Sequence, residues 1–303
     1  MANIITFNKN FEPHYGTAVE IAPGVRRVTA RNASPTTFHG TNSYILGRGR
    51  VAIVDPGPDD DNQVGALLAA TQDEIVTHIV LTHTHRDHSG GLAALHRATG
   101  ARTAGGGPHR PSRPPRAGES TRLDAAGDAS FVPDIVLTDG DVIEEETWRL
   151  EAVSTPGHTA NHLAFALAGG ELLLSGDHVM GWSTTIVAPP DGAMRDYMAS
   201  LDKLAARSEQ RYLPGHGGTI DDPHSYVLAL TEHRRMREAT ILDRLIEGDQ
   251  TIAEIVAVIY RDTNPLLHRA AGLSVLAHLE DLVADGKVVS NGPPTVDGRF
   301  SPA

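Results

Sequence analysis

The segment Leu81-Thr-His-Thr-His-Arg-Asp-His-Ser-Gly-Gly91 puts four side chains able to ligate metal, His83, His85, Asp87 and His88, directly after an apolar run. Residues i and i+2 of an extended chain point the same way, so His83 and His85 can reach one ion together. The chain then turns, and Asp87 and His88 at the start of the next helix can reach a second ion. Imidazole suits zinc, iron and related divalent metals, and carboxylate completes such a set. A chance HxHxDH is expected on the order of a few times per thousand chains of this size, so four solvated polar residues in a loop is the weaker reading.

Three further segments each place a His or Asp where a strand gives way to a glycine-containing turn: Thr155-Pro-Gly-His158-Thr159, Ser175-Gly-Asp177-His178 and Pro214-Gly-His216-Gly217. Each is weak alone. Together they supply the three ligands that two metal ions still lack. Two divalent ions ~3.5–4 Å apart can hold a water between them and lower its pKa toward ~7, and the resulting bridged hydroxide is the expected nucleophile. The same ions stabilise charge that develops on an attacked acyl or phosphoryl oxygen. No Ser or Cys nucleophile is then required, and the chain has no cysteine. Zinc is the expected metal, with iron and manganese as alternatives.

The elements that must position these groups are legible from periodicity. Strands are expected over 25–30, 42–46 and 51–54, the last ended by Asp55-Pro-Gly-Pro58, with another over 78–81. Helices are expected over 62–71 and 90–99. Strands resume over 135–137, 148–153, 162–167, 171–174 and 211–213, with a helix over 194–206 between the last two. From His224 the pattern turns helical: 224–247, a capping-box helix opened by Thr251 and Glu254, and 268–284, followed by a strand over 287–289. This tail reads as winged-helix-like. The expected division is 1–223 for the catalytic domain and 224–303 for a helical linker and tail. Between Gly105 and Asp134 lies a Pro- and Gly-rich stretch, expected to be a solvated surface insertion rather than a lid.

The four motifs, in this order over residues 25–220, resemble the metallo-β-lactamase superfamily. The resemblance implies an αββα sandwich, with His83, His85 and His158 on one metal, Asp87, His88 and His216 on the other, and Asp177 bridging both. Gly40-Thr-Asn-Ser-Tyr44, Val54-Asp55-Pro-Gly57, Gly181-Trp-Ser-Thr-Thr185, Pro214-Gly-His-Gly-Gly218, the helix around His233-Arg234 and the winged tail are similar to the lactamase-β-2-like branch.

Around the metal donors, Asp87 is read as a ligand that can also accept the attacking water's proton. Asp55 is either a carboxylate fixing a ligand tautomer or a turn cap. Trp182, Ser183 and Thr184 are expected to wall a pocket, Tyr197 to pack in the core and His178 to point away. His233, Arg234 and Arg237 are expected on a solvated, salt-bridged face rather than on an anion.

The net charge of −12 with neutral His argues against broad attraction to nucleic acid or anionic membrane. From Ser225 to Ala303 there are 8 basic and 11 acidic residues, where a nucleic-acid-binding wing is usually basic. The tail is therefore expected to cap the site or to serve as a packing surface. No signal pattern or membrane-length apolar run is present, so a cytoplasmic location without membrane partners is expected, and a β-lactam antibiotic is a poor natural substrate. The expected activity is cleavage of a small acyl substrate of thioester, lactone or amide type, or of a phosphodiester. An endoribonuclease acting on single-stranded RNA is the alternative, and a mononuclear iron persulfide dioxygenase a second one. A structural metal domain is disfavoured, since structural zinc sites close their shells with four ligands and are rarely paired. A homodimer stays open.

Overall fold

Strands β2 (Val25–Thr29), β3 (Asn42–Leu46) and β4 (Arg50–Val54) form an antiparallel meander, and β5 (Ile75–Val80) joins β4 in parallel. The computed structural model describes residues 5–116, 119 and 127–303. Among these, β1 (Val19–Ala22), β6 (Arg102–Gly105) and β7 (Ile135–Val136) complete a seven-stranded sheet in the order β1 to β7. A second sheet runs in the order β12 (Arg211–Pro214), β11 (Leu172–Gly176), β10 (Leu163–Leu167), β9 (Trp148–Ser154) and β8 (Val142–Glu145).

Alternation along the strands explains why the two sheets stack. Tyr44, Leu46, Ala52 and Val54 face Leu150, Ala152, Phe165 and Leu213 of the second sheet in one buried cluster. Their neighbours Ile45, Val51 and Ile53 face the other way, onto Val64 and Leu67 of helix α1 (Asp61–Ala70). The same cluster takes Leu95 from a helix at Leu92–Thr99, which follows a short helix α2 at Arg86–Ser89 and is therefore α3. On the outer face of the second sheet, Val153, Ala164, Leu173 and Tyr212 pack against Tyr197, Leu201 and Leu204 of α4 (Met194–Ala205) and Val227 and Leu230 of α5 (Pro223–Glu247). Both strand faces are apolar because both are covered, which gives the expected αββα layering.

Helix α5 continues past the sandwich. It opens on Asp222, whose side chain accepts from the Ser225 N–H, and ends at Gly248 with φ 114°. Its last turns, through Ile241 and Leu245, join a separate cluster with α6 (Ile252–Ile259), α7 (His268–Ala284), β13 (Val288–Ser290) and β14 (Phe300–Pro302). The Thr251–Glu254 capping box opens α6, and α7 has the bounds that the periodicity predicts.

Two expectations need correction. The helix expected over 90–99 starts two residues later, as α3, and a separate short helix, α2, precedes it across Gly90-Gly91. A Cβ at Gly90 would lie 2.4 Å from the Asp59 backbone nitrogen, so the chain packs there too closely for a side chain. The Pro-rich stretch is not simply solvated. Its residues 117–118 and 120–126 lie outside the described residues, but Arg113 is bonded to both Glu119 and Glu280 of α7, and Arg116 also pairs with Glu280. Ser112 is bonded through its N–H and its hydroxyl to the Pro190 carbonyl. Ion pairs and hydrogen bonds thus anchor the described part to the tail and to the loop before α4.

Candidate metal centre

Parallel strand directions bring the donors to one end of the sandwich. Asp55 follows β4, His83 follows β5, Asp177 follows β11, His216 follows β12, and His158 follows β9, which runs parallel to β11 through their common neighbour β10. Asp87 and His88 stand on α2, for which His85 is the N-cap residue. The structure brings all seven expected donors together. His83, His85 and His158 form one convergent group, Asp87, His88 and His216 another, and Asp177 shares a third with His83 and His88.

The outer nitrogen of each imidazole fixes its tautomer. The Thr82 hydroxyl donates to Asp55 Oδ2 (2.7 Å), so it accepts from His83 Nδ1 (3.0 Å), leaving His83 Nε2 bare. His85 Nε2 donates to Asp191 Oδ2 (2.9 Å), and His158 Nδ1 donates to the Ile186 carbonyl (2.7 Å). His88 Nδ1 donates to Asp55 Oδ2 (2.9 Å), and His216 Nδ1 to the Gly40 carbonyl (3.2 Å). The remaining lone pairs face each other. His85 Nδ1 lies 3.1 Å from His83 Nε2 and 3.0 Å from His158 Nε2, while His88 Nε2 lies 3.3 Å from His216 Nε2. Asp87 Oδ2 is 3.3 Å from His216 Nε2 and 3.6 Å from His88 Nε2. Asp177 spans both groups, with Oδ1 3.4 Å from His88 Nε2 and Oδ2 3.3 Å from His216 Nε2 and 3.7 Å from His158 Nε2. Bare imidazole nitrogens at such separations repel unless a cation sits among them. The donor set therefore fits two divalent ions, one in each group, with Asp177 between.

The protonation energetics agree. Burial opposes charge on His216, but Asp177 and Asp87 outweigh it and hold this imidazole up at about 9. Burial would likewise raise Asp177, yet His216 and His88 hold it well below the ordinary carboxylate range. The two carboxylates thus demand positive charge, which protons supply where a metal does not.

Supporting residues explain the local motifs. Asn42 is fully buried and donates to the Pro214 and Gly217 carbonyls, and the Tyr44 hydroxyl also donates to Pro214, so the Gly40–Tyr44 run holds the His216 loop. Thr185 donates to the Asp177 carbonyl, and the Asp177 N–H donates to His162 Nε2 (3.1 Å). A Cβ on Gly215 would lie 2.5 Å from Asp177 Oδ1 and 2.6 Å from His88 Cε1, so only glycine fits beside the donors.

Sequence reasoning missed Asp191 and His109. Asp191 Oδ1 faces His109 Nε2 at 3.3 Å, and His109 Nδ1 lies 3.2 Å from Thr84 Oγ1, so this pair backs His85 from behind. The only signal for Asp191 was the turn sequence Pro189-Pro-Asp-Gly192; His109 lay hidden in the Pro-rich stretch.

The donors open into a cavity of about 590 Å³, lined on one side by His85, Asp87, His158, Asp177 and His216. Trp182, Ser183 and Thr184 wall it, as expected. Ile259, Tyr260, Thr263, Leu267 and Ala270 of the tail also line it. His178 is fully buried away from the cavity lining, and the buried Tyr197 donates its hydroxyl to the His178 carbonyl.

One expectation fails here. His233, Arg234 and Arg237 do not form a solvated, salt-bridged face; all three line the cavity, and among the described residues neither arginine has a carboxylate within ion-pair distance. The tail packs beside this face of α5, burying Arg234 and leaving His233 and Arg237 half-buried at the cavity.

Residues 36–216 match the metallo-beta-lactamase superfamily, more than half of the chain. The chain belongs to that superfamily. As a metallo-beta-lactamase superfamily protein it also carries the beta-lactamase associated winged helix domain, matched over residues 251–295. It is 31% identical over 280 residues to the beta-lactamase-like protein 2 homolog of Drosophila melanogaster, covering 88% of this chain and 90% of that one, in keeping with the expected branch. It is 27% identical over 289 residues to an atrochrysone carboxyl ACP thioesterase of a Cryptosporiopsis species, covering 89% and 82%. A metallo-beta-lactamase family protein from Thermus thermophilus superposes with a TM-score of 0.74 at 26% identity, covering 94% of this chain and all of the other.

Proposed function

We propose that this superfamily hydrolase cleaves a small acyl substrate, of thioester or lactone type, with two divalent metal ions held by His83, His85 and His158 and by Asp87, His88 and His216, bridged by Asp177. The observation that carries the reading is the convergence of five bare imidazole nitrogens and two carboxylates in the wall of a largely apolar cavity. Bound ions of this kind supply Lewis acidity and an acidified water.

The chain's own residues do the rest. Asp55, Asp191, Thr82 and the Ile186 and Gly40 carbonyls hold the five rings so that their bare nitrogens point inward. Asp87 lines the cavity with a half-buried carboxylate and can take the proton of an attacking water while serving as ligand. Trp182, Ile186, Tyr260 and Leu267 exclude bulk water and accept an apolar acyl chain. The thioesterase name of the fungal relative supports acyl transfer to water, and the −12 charge and acidic tail disfavour RNA.

The test is a substrate panel given to the metal-loaded protein: acyl thioesters, lactones, a phosphodiester and single-stranded RNA. Thioester or lactone turnover that chelator abolishes is expected. Cleavage of RNA alone would replace this reading with the nuclease.

A further inference from the structure

The tail-facing surface of α5 carries three cationic or protonatable side chains into a mostly apolar cavity in an acidic protein. Arg234 is only 3% exposed. One of its terminal nitrogens donates to the Thr185 carbonyl, and its guanidinium lies 5.0 Å from the Tyr197 ring centre. Arg237 lies 4.4 Å from the Tyr260 ring centre. Among the described residues, Nε of both arginines and Nδ1 of His233 have no hydrogen-bond partner. Behind them His278 of α7 is 1% exposed, with neither ring nitrogen bonded.

Burying the Arg234 guanidinium and the Nε of the half-buried Arg237 without an anion is costly, and a native fold keeps such an arrangement where something else completes it. The net charge of −12 repels anions at long range, so attraction here is local. Guanidinium forks match carboxylate and phosphate oxygens in two-point contacts. Resting on the acyl-hydrolase reading, we propose that His233, Arg234 and Arg237 form an anion subsite that selects acyl substrates carrying a second, negatively charged group, a carboxylate or a phosphate, beside the bond to be cut. Arg234 reaches the donor set through Thr185, which is itself bonded to the Asp177 carbonyl, so the anion and the reacting carbonyl share one cavity.

The experiment is calorimetric binding of non-hydrolysable thioether analogues of one acyl chain to the metal-loaded protein. The chain ends in carboxylate, phosphonate or neutral carboxamide. The proposal expects at least one anionic analogue to bind ten-fold or more tightly than the carboxamide. Arg237→Gln should collapse that ratio, Arg237→Lys should keep part of it, and His233→Gln gives an independent second reduction. The tighter of the two anions names the group. Equal binding of the three analogues overturns the subsite, as does a preference that survives both Arg237→Gln and His233→Gln. The substrate panel is read separately. Turnover of neutral thioesters without anion preference leaves the hydrolase and removes the subsite; an Arg237-dependent preference without any acyl turnover does the reverse.

Discussion

Asp191 and Asp55 do the same job on different ligands. Each accepts from the outer nitrogen of an imidazole and so fixes which nitrogen is bare. Such carboxylates raise ligand basicity, and losing one typically costs ~10–100-fold in metal affinity or activity. Asp191→Asn is predicted to lower metal affinity within that range while leaving the circular dichroism spectrum intact; unchanged affinity in a competition titration would remove Asp191 from the site. Gly215→Ala puts a methyl within 2.6 Å of Asp177 and His88. It should displace both donors and cost about 1–3 kcal/mol in urea unfolding, with loss of at least one bound metal. The seven donors were legible because each stands in a short local motif: His83, His158, Asp177 and His216 just after a strand, and His85, Asp87 and His88 at the start of the helix that follows β5. The Asp191–His109 support was not, because those residues meet His85 only through tertiary packing. Asp55 was legible as a choice between two roles, and the His88 bond decides it.

At the level of elements, short apolar runs predicted the bounds of β3 and, to within one residue, of β4, since both faces of each strand meet an apolar layer. β1, β6, β8 and β14 escaped notice; each has four residues or fewer and at least one exposed position, and of such short strands only β7 and β13 carried an apolar run that registered. Helices α5 and α7 meet around a buried histidine with its own signature. Burial, then Arg234, Arg237 and His233, push His278 down to about 3. A His depressed in the folded state is neutral there but binds a proton in the unfolded chain below its ordinary value near 6.5. Its burial therefore carries no protonation penalty above that pH, and stability is lost as pH falls from about 6.5 toward 3. Between pH 7 and 5 this one group accounts for about 2 kcal/mol. Replacing His278 by Asn should flatten the fall in unfolding free energy over that interval by a comparable amount. Parallel pH dependences for the two proteins would show that His278 titrates normally.

For the whole molecule, the tail lines the cavity and is tied to the described part of the Pro-rich stretch through Glu280, which meets both Arg113 and Arg116. These groups are mostly buried, so Glu280→Ala should destabilise by about 1–3 kcal/mol, between the surface and fully buried limits. It should also make the 105–116 region more open to limited proteolysis. Unaltered cleavage and stability would reduce the clasp to a surface contact. Sequence charge left the tail as a cap or a packing surface, and tail residues line the cavity. It misjudged the α5 cations because a helix face reads as solvated until the element that covers it is known. Among the described residues no helix is long and apolar enough to cross a membrane.

The most direct test of the two-ion centre is the metal-to-protein ratio of the purified chain by inductively coupled plasma mass spectrometry. Two divalent ions per chain are predicted, falling when His85 is replaced by Ala. A single iron per chain, or no stoichiometric metal after growth and purification with zinc, iron and manganese all supplied, would contradict it.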